Sequence, residues 1–187
     1  MKALFFYLSI FLVLLSCKNH QDYKKESAEP EIREKVNKLY TLYSRSNETL
    51  YDRPLQKDLF SSDLEDVIKK AISVSKADIE KVKSSAHPTD KPLILEGEVF
   101  SSLYEGYTTY KIKSVDIIAN RANVSVDFEY DKVSPQIIWT DTIHLINTDD
   151  KHWKIDNITF NNSISTATDL KNSLEGFISY AEEDLEQ

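Results

Sequence analysis

Ala122-Asn123-Val124-Ser125-Val126-Asp127-Phe128-Glu129-Tyr130 is the stretch on which the fold turns. Ala122, Val124, Val126, Phe128 and Tyr130 face one way, and Asn123, Ser125, Asp127 and Glu129 the other. That period of two marks a strand with one covered face. Asn120-Arg121 just before it reads as a tight turn, and residues 107–118 beyond form a β-branched and aromatic run. Further upstream, Leu93, Leu95 and Val99 alternate with Ile94, Glu96, Glu98 and Phe100, so 93–100 is expected to be the first strand. Downstream, 137–146 makes a fourth strand, Thr148-Asp149-Asp150 a turn, and 152–160 a fifth.

The flanks follow a helical period. Ile32, Val36, Leu39, Tyr40 and Tyr43 form one stripe, in a helix expected to open at Pro30, a residue suited to a first turn. Residues 50–60, interrupted by Pro54, predict a short helix and turn. Ser62-Asp63-Leu64-Glu65 reads as a capping box. Leu64, Val67, Ile68, Ala71, Ile72, Ile79 and Val82 then mark the buried side of a helix ending before His87-Pro88. After a polar loop at 161–168, Leu170, Leu174, Phe177, Ile178 and Leu185 outline a closing amphipathic helix. Helices followed by an antiparallel meander predict an α+β fold, with helices packed on one face of a curved antiparallel sheet of about five strands.

Pro92-Leu93-Ile94-Leu95-Glu96-Gly97-Glu98-Val99-Phe100-Ser101-Ser102-Leu103-Tyr104-Glu105-Gly106 resembles the bacterial family catalogued as the DUF3828 domain, of unknown function. Trp153-Lys154-Ile155-Asp156-Asn157-Ile158 resembles the final strand of that family and of the wider NTF2-like superfamily. The resemblance covers residues 31–180 and implies a cone, a sheet wrapped round a helix to leave a pocket. It does not choose between enzymes and binders, both of which use this fold.

The N-terminus is a separate signal. Met1-Lys2 is followed by an apolar run, a small residue and Cys17, the plan of an export signal. Residues 3–15 fall short of the roughly 20 needed to cross the hydrocarbon as a helix. Leu14-Leu15-Ser16-Cys17 resembles the lipobox of bacterial lipoproteins, which implies cleavage before Cys17 and acylation of its thiol and new amine. Two or more chains on Cys17 would give stable attachment. Cys17 is the chain's single cysteine, so the mature protein has no disulfide. The expected organisation is a signal peptide at 1–16, the lipidated residue and a flexible tether at 17–29, and one domain at 30–187. As random coil the tether would span ~20 Å. Lys18 is not the aspartate that retains lipoproteins in the inner membrane of enteric bacteria. The expected address is therefore the cell envelope, at the outer membrane where two membranes exist.

The formal charge is -8, and removal of residues 1–16, which carry only Lys2, makes it -9. That argues against nucleic acid, whose recognition starts from a basic patch. Gly97, Gly106 and Gly176 are too scattered for a phosphate loop. His20, His87, His144 and His152 include no pair at ligand spacing, and no second cysteine exists to build a thiolate site, so neither metal nor cofactor is expected.

Two places remain. Ile137, Trp139, Asp141, Ile143 and Leu145 share a strand face, which puts Asp141 in an apolar row where desolvation would raise its pKa unless a donor pairs with it. Its neighbour His144 points to the opposite face. Tyr104-Glu105-Gly106-Tyr107, between Phe100 and Tyr110, combines tyrosines with a glycine, the composition of a pocket rim or partner-facing loop. Tyr104, Tyr107, Trp139 and Asp141 are thus the candidate binding residues, with no catalytic constellation assigned. The reading is a non-enzymatic module for a small ligand or an envelope protein. A pocket enzyme using Asp141 as acid or base is the first alternative, and an immunity or inhibitor protein against an envelope hydrolase the second.

Overall fold

The computed structural model describes residues 20–43, 50–51, 54–148 and 152–185. Helix α1 runs His20–Tyr43, α2 Ser62–Ser84 and α3 Leu170–Leu185. Strands β1 Thr109–Ile118, β2 Arg121–Tyr130, β3 Ile137–Asn147 and β4 Trp153–Thr159 pair in that order into one antiparallel, unclosed sheet. The α+β class, the meander and the closing helix are as expected.

Alternation in β2 becomes a covered face and an open one. Ala122, Val124, Val126 and Phe128 are buried, and in β3 so are Trp139, Asp141, Ile143 and Leu145. The register sets Tyr110 beside Phe128 and Phe128 beside Trp139. α1 lies over this face with Ile32, Val36, Leu39, Tyr40 and Tyr43 all buried, as their spacing requires. Tyr40 packs edge-on to Phe128 with ring centroids 5.2 Å apart. α2 and α3 pack on each other beside β4, and α3 buries Leu170, Leu174, Ile178 and Ala181.

Four local expectations are corrected. Residues 93–100 are not a strand. Their backbone groups are taken by side chains instead of a neighbouring strand: Leu93 N–H donates to Asp78 Oδ2 at 2.5 Å and Leu95 N–H to the Tyr51 hydroxyl at 2.7 Å. The Leu93 carbonyl accepts from Ser75 Oγ at 2.9 Å. α2 can do this because Ser75 and Asp78 occupy its buried row, where Ile79 and Val82 are only half-buried. α1, second, begins at His20 and carries Pro30 inside it, so the expected tether is helical from His20 onward. Proline forfeits one backbone bond there, to the carbonyl of Glu26, and the helix continues past it.

Third, the α2 cap is Ser61, not Ser62: Ser61 Oγ accepts Leu64 N–H at 3.2 Å, and Glu65 binds Lys69 at 2.5 Å instead of reaching back. Fourth, the β1–β2 turn is Ala119-Asn120, with Ala119 in the left-handed region at φ 56°. The role of a fifth chain beside β4 falls to 59–61. Phe60 bridges Ile155 in parallel, with Ser61 N–H donating to the Ile155 carbonyl at 2.7 Å and Ile155 N–H to that of Leu59 at 2.9 Å. The Asp149-Asp150 turn and the Leu185 side chain lie outside the described residues.

Ser61 also donates to Asp156 Oδ1 at 2.7 Å, linking the cap to β4. Ser61→Ala should therefore lower unfolding free energy by ~1–2 kcal/mol, the cost of a lost cap. Ser62→Ala, at an exposed first-turn position, should change it by less than ~0.5 kcal/mol. Urea midpoints of the two variants test this, and equal shifts would return the cap to Ser62.

Candidate functional site

Position 141 inherits its surroundings from strand parity. Inward on β3, Asp141 stands opposite Val126 of β2 and two residues from Trp139. It is only 1% exposed. Its Oδ2 accepts from the Ser102 N–H at 3.0 Å and from the Trp139 indole at 3.2 Å. Its Oδ1 accepts from the Ser102 hydroxyl in a short contact and from the Asn161 N–H at 3.1 Å. The Asn161 N–H is shared with Ser102 Oγ at 2.7 Å.

Four donors on two oxygens use essentially the whole acceptor capacity of a carboxylate. Burial still pushes the Asp141 pKa up, against the hydrogen bonds from Ser102, Trp139 and Asn161 that pull it down. Such a group ties loops together. It offers no lone pair to a reacting atom, which a general base must do.

Trp139 is 3% exposed and stacked on Phe128, centroids 5.3 Å apart. It belongs to the core and orients Asp141. His144, on the other sheet face as parity requires, bridges Asn123 Oδ1 at 2.8 Å and Thr159 Oγ1 at 2.7 Å. Burial lowers its pKa, with Asp156 and Asp169 opposing.

The two loop tyrosines part company. Tyr107 is 6% exposed and packed among Tyr40, Tyr110 and Phe128, with its hydroxyl directed to the Tyr40 carbonyl at 3.5 Å. It is core, not rim. Tyr104 is 59% exposed, and its hydroxyl donates to Glu96 Oε2 at 3.1 Å. Its ring covers Gly97, which adopts φ 70°; a Cβ there would meet the Tyr104 ring at 2.5 Å. Glu98 N–H to the Tyr104 carbonyl at 2.9 Å closes the loop. Tyr104 is thus an exposed ring on a braced loop.

Rings occupy the space that a cone would leave open. Tyr40, Tyr43, Phe60, Phe100, Tyr107, Phe128 and Trp139 are all buried between α1 and the sheet. A cleft of ≈ 490 Å³ lies elsewhere, between Leu50, Tyr51, Pro54 and Leu55 and the Glu65, Lys69, Ile72 and Lys76 side of α2. Lys69 is paired with Glu65, and Lys76 donates to the Tyr51 carbonyl at 2.9 Å.

Sequence reasoning missed Ser102 and Asn161. Both are loop residues without periodic context, and the polar clusters around them carry no pairing information. Cys17 lies outside the described residues. Comparison with protein-family models, with curated proteins and with solved structures found no match.

Replacing Asp141 by Asn keeps the shape but turns an amide donor toward groups that are themselves donors. The expected loss is ~1–3 kcal/mol of stability, the cost of leaving buried donors unsatisfied. Because the folded pKa of Asp141 exceeds the unfolded one, its protonation favours the fold. That contribution is greatest below the unfolded value and declines as pH rises through the folded value. The wild-type margin over Asp141→Asn should therefore widen on acidification across that window. Urea midpoints at several pH values measure it; a margin that narrows on acidification contradicts the raised pKa.

Proposed function

We propose that this chain is a bacterial envelope lipoprotein, anchored through Cys17, whose DUF3828-like, NTF2-like domain binds a protein partner without catalysis. The lipobox at Leu14-Leu15-Ser16-Cys17 supports the anchor, and its two or three acyl chains would make attachment stable. The 92–106 run, the Trp153-to-Ile158 strand and the order of helix, antiparallel meander and closing helix support the family reading. On that reading the stub at 59–61 replaces the fifth strand, and the cone is packed shut.

The observation that carries a binding role over an acid–base role is the saturation of Asp141 by four internal donors. The filled space between α1 and the sheet favours an outer surface over an enclosed ligand pocket, hence a protein partner over a small ligand. Tyr104 is the residue best placed to meet that partner. A ring held by Gly97 and Glu96 loses little freedom on binding, which is what an interface anchor needs.

Two outcomes are expected. Expressed in a bacterium that processes lipoproteins, the wild type should partition with membranes and carry fatty chains by mass spectrometry, whereas Cys17→Ser should be released from them. Equal partitioning, together with an unacylated wild type, removes the anchor. Tyr104→Ala should weaken capture of a cross-linked envelope partner roughly thirtyfold, the scale of an interface hot spot, without shifting the unfolding midpoint. Capture at full strength by this variant moves the binding surface off the loop.

A further inference from the structure

We propose that the turn at Tyr104-Glu105 receives a basic side chain: an arginine of the protein partner lies along the open side of the Tyr104 ring and pairs with the Glu105 carboxylate. This rests on the partner-binding role given to Tyr104 above and adds the chemistry of the group that it meets.

The backbone brings the two side chains together. Gly106 N–H donates to the Leu103 carbonyl at 2.9 Å, which makes Tyr104 and Glu105 the central residues of a four-residue turn. Both are exposed, whereas Ser102 before them and Gly106 and Tyr107 after them are buried. The turn is held to the rest of its loop, because the Tyr104 carbonyl accepts the Glu98 N–H at 2.9 Å. Gly97 lies so close to the ring that a Cβ there would clash with it. The 59% of Tyr104 that stays exposed is therefore on the side away from Gly97.

Three carboxylates lie along this loop, and two are already committed. Glu96 Oε1 meets Lys91 Nζ at 2.6 Å, and its Oε2 accepts the Tyr104 hydroxyl at 3.1 Å. The bonds from Lys91 and Tyr104 hold the Glu96 carboxyl below its usual range, and the bond to Glu96 raises the Tyr104 phenol. The ring thus keeps its proton and is neutral. Glu98 is half-buried and accepts the Phe100 N–H at 3.3 Å. Glu105 has no ion pair or hydrogen bond among the described residues, yet it stands near enough to Tyr104 to raise that phenol as well.

A neutral aromatic face beside an unpaired carboxylate selects for one kind of group. A guanidinium is attracted to the ring face and still presents N–H donors at its edge, so it can stack and pair at once. An ammonium is a compact point charge without that planar fork. An apolar anchor would strip water from Glu105 and give nothing back. The chain's formal charge of -8 also draws a basic partner inward.

The test titrates the full chain, in nonionic detergent, with a fluorescein-labelled peptide of alternating glycine and arginine. Anisotropy reports binding, and the same peptide with citrulline, which is planar but uncharged, is the comparison. The arginine peptide should bind and the citrulline peptide should bind roughly threefold more weakly or worse. Tyr104→Leu keeps apolar bulk without a ring and should weaken the arginine peptide about two- to fivefold, the scale of an exposed cation–π contact. Glu105→Gln should weaken it about threefold. Glu175→Gln removes an equal charge from the exposed side of α3 and should leave it unchanged. Should Tyr104→Leu fail to fold, the comparison of Glu105→Gln with Glu175→Gln decides alone. Equal losses in those two variants reduce the effect to overall charge and overturn the proposal. Full-strength binding by Tyr104→Leu, or no preference for arginine over citrulline, overturns it too. If the peptide results fail while Tyr104→Ala still loses the cross-linked partner, the interface stands and its cationic chemistry falls. If Tyr104→Ala keeps that partner, both fall.

Discussion

A carboxylate buried in an apolar row is the constraint that the rest of this structure answers. Taking such a charge out of water costs several kcal/mol even after relaxation, and hydrogen bonds to a charged group return ~1.5–3 kcal/mol each. Asp141 receives four, from Ser102, Trp139 and Asn161. The two sides are of the same order, so the burial is tolerable only when all the donors are present. That requirement reaches far along the chain. The loop before β1 must bring Ser102 to mid-sheet, β4 must end where Asn161 can turn its N–H inward, and Trp139 must sit with its indole edge toward the acid. Positions 39 and 20 residues away in sequence are locked to one strand by a single side chain.

The aromatic cluster is the other half of that arrangement. With Ser102 held over β3, Phe100 is drawn against Tyr43 and Phe60, ring centroids 5.5 and 5.9 Å away. Tyr107 meets Phe128 at 5.0 Å, and Trp139 stacks on that ring at 5.3 Å. Each pair contributes only ~0.5–1.5 kcal/mol beyond its buried area, but together they close the space between α1 and the sheet. An enclosed site would require several of these rings to leave. Tyr104 stays outside this packing because Gly97 lets the loop turn beneath it.

Strand periodicity was legible, and with it more of the candidate site than any motif could supply. Parity alone put Trp139 and Asp141 on one face and His144 on the other; that the first is the buried one comes from the helix laid over it. Helical spacing found the buried row of α1 from Ile32 to Tyr43 residue for residue. Parity failed where the partner of a backbone group is a side chain. Residues 93–100 alternate like a strand, yet Asp78, Ser75 and Tyr51 take their hydrogen bonds. Two of those three sit on the buried side of α2, where a sequence reader assumes apolar residues. The Tyr104–Tyr107 pair misled for a related reason. Three residues along an irregular loop carry no rule about facing, and so one ring is solvent-exposed and the other is core.

The open face and the two edges show how a four-stranded sheet manages with a single covering layer. On the open face, polar side chains bind across strands: Thr140 Oγ1 to Asp127 Oδ1 at 2.6 Å, and His144 between Asn123 and Thr159. Such cross-strand pairs stabilise a face without burying it. The β4 edge is closed by the backbone of 59–61. The β1 edge has no such cover among the described elements, and it is there that the ladder is interrupted, by a register shift between Ile112 and Ser114 with Lys111 and Lys113 beside it. A bulge and paired lysines disfavour the docking of another strand. The sheet thus spends backbone pairing where the helices need an anchor, on β4, and charge where solvent would otherwise invite aggregation, on β1. The same division lets the fold stay open-sided while neither edge is left as a bare template for another strand.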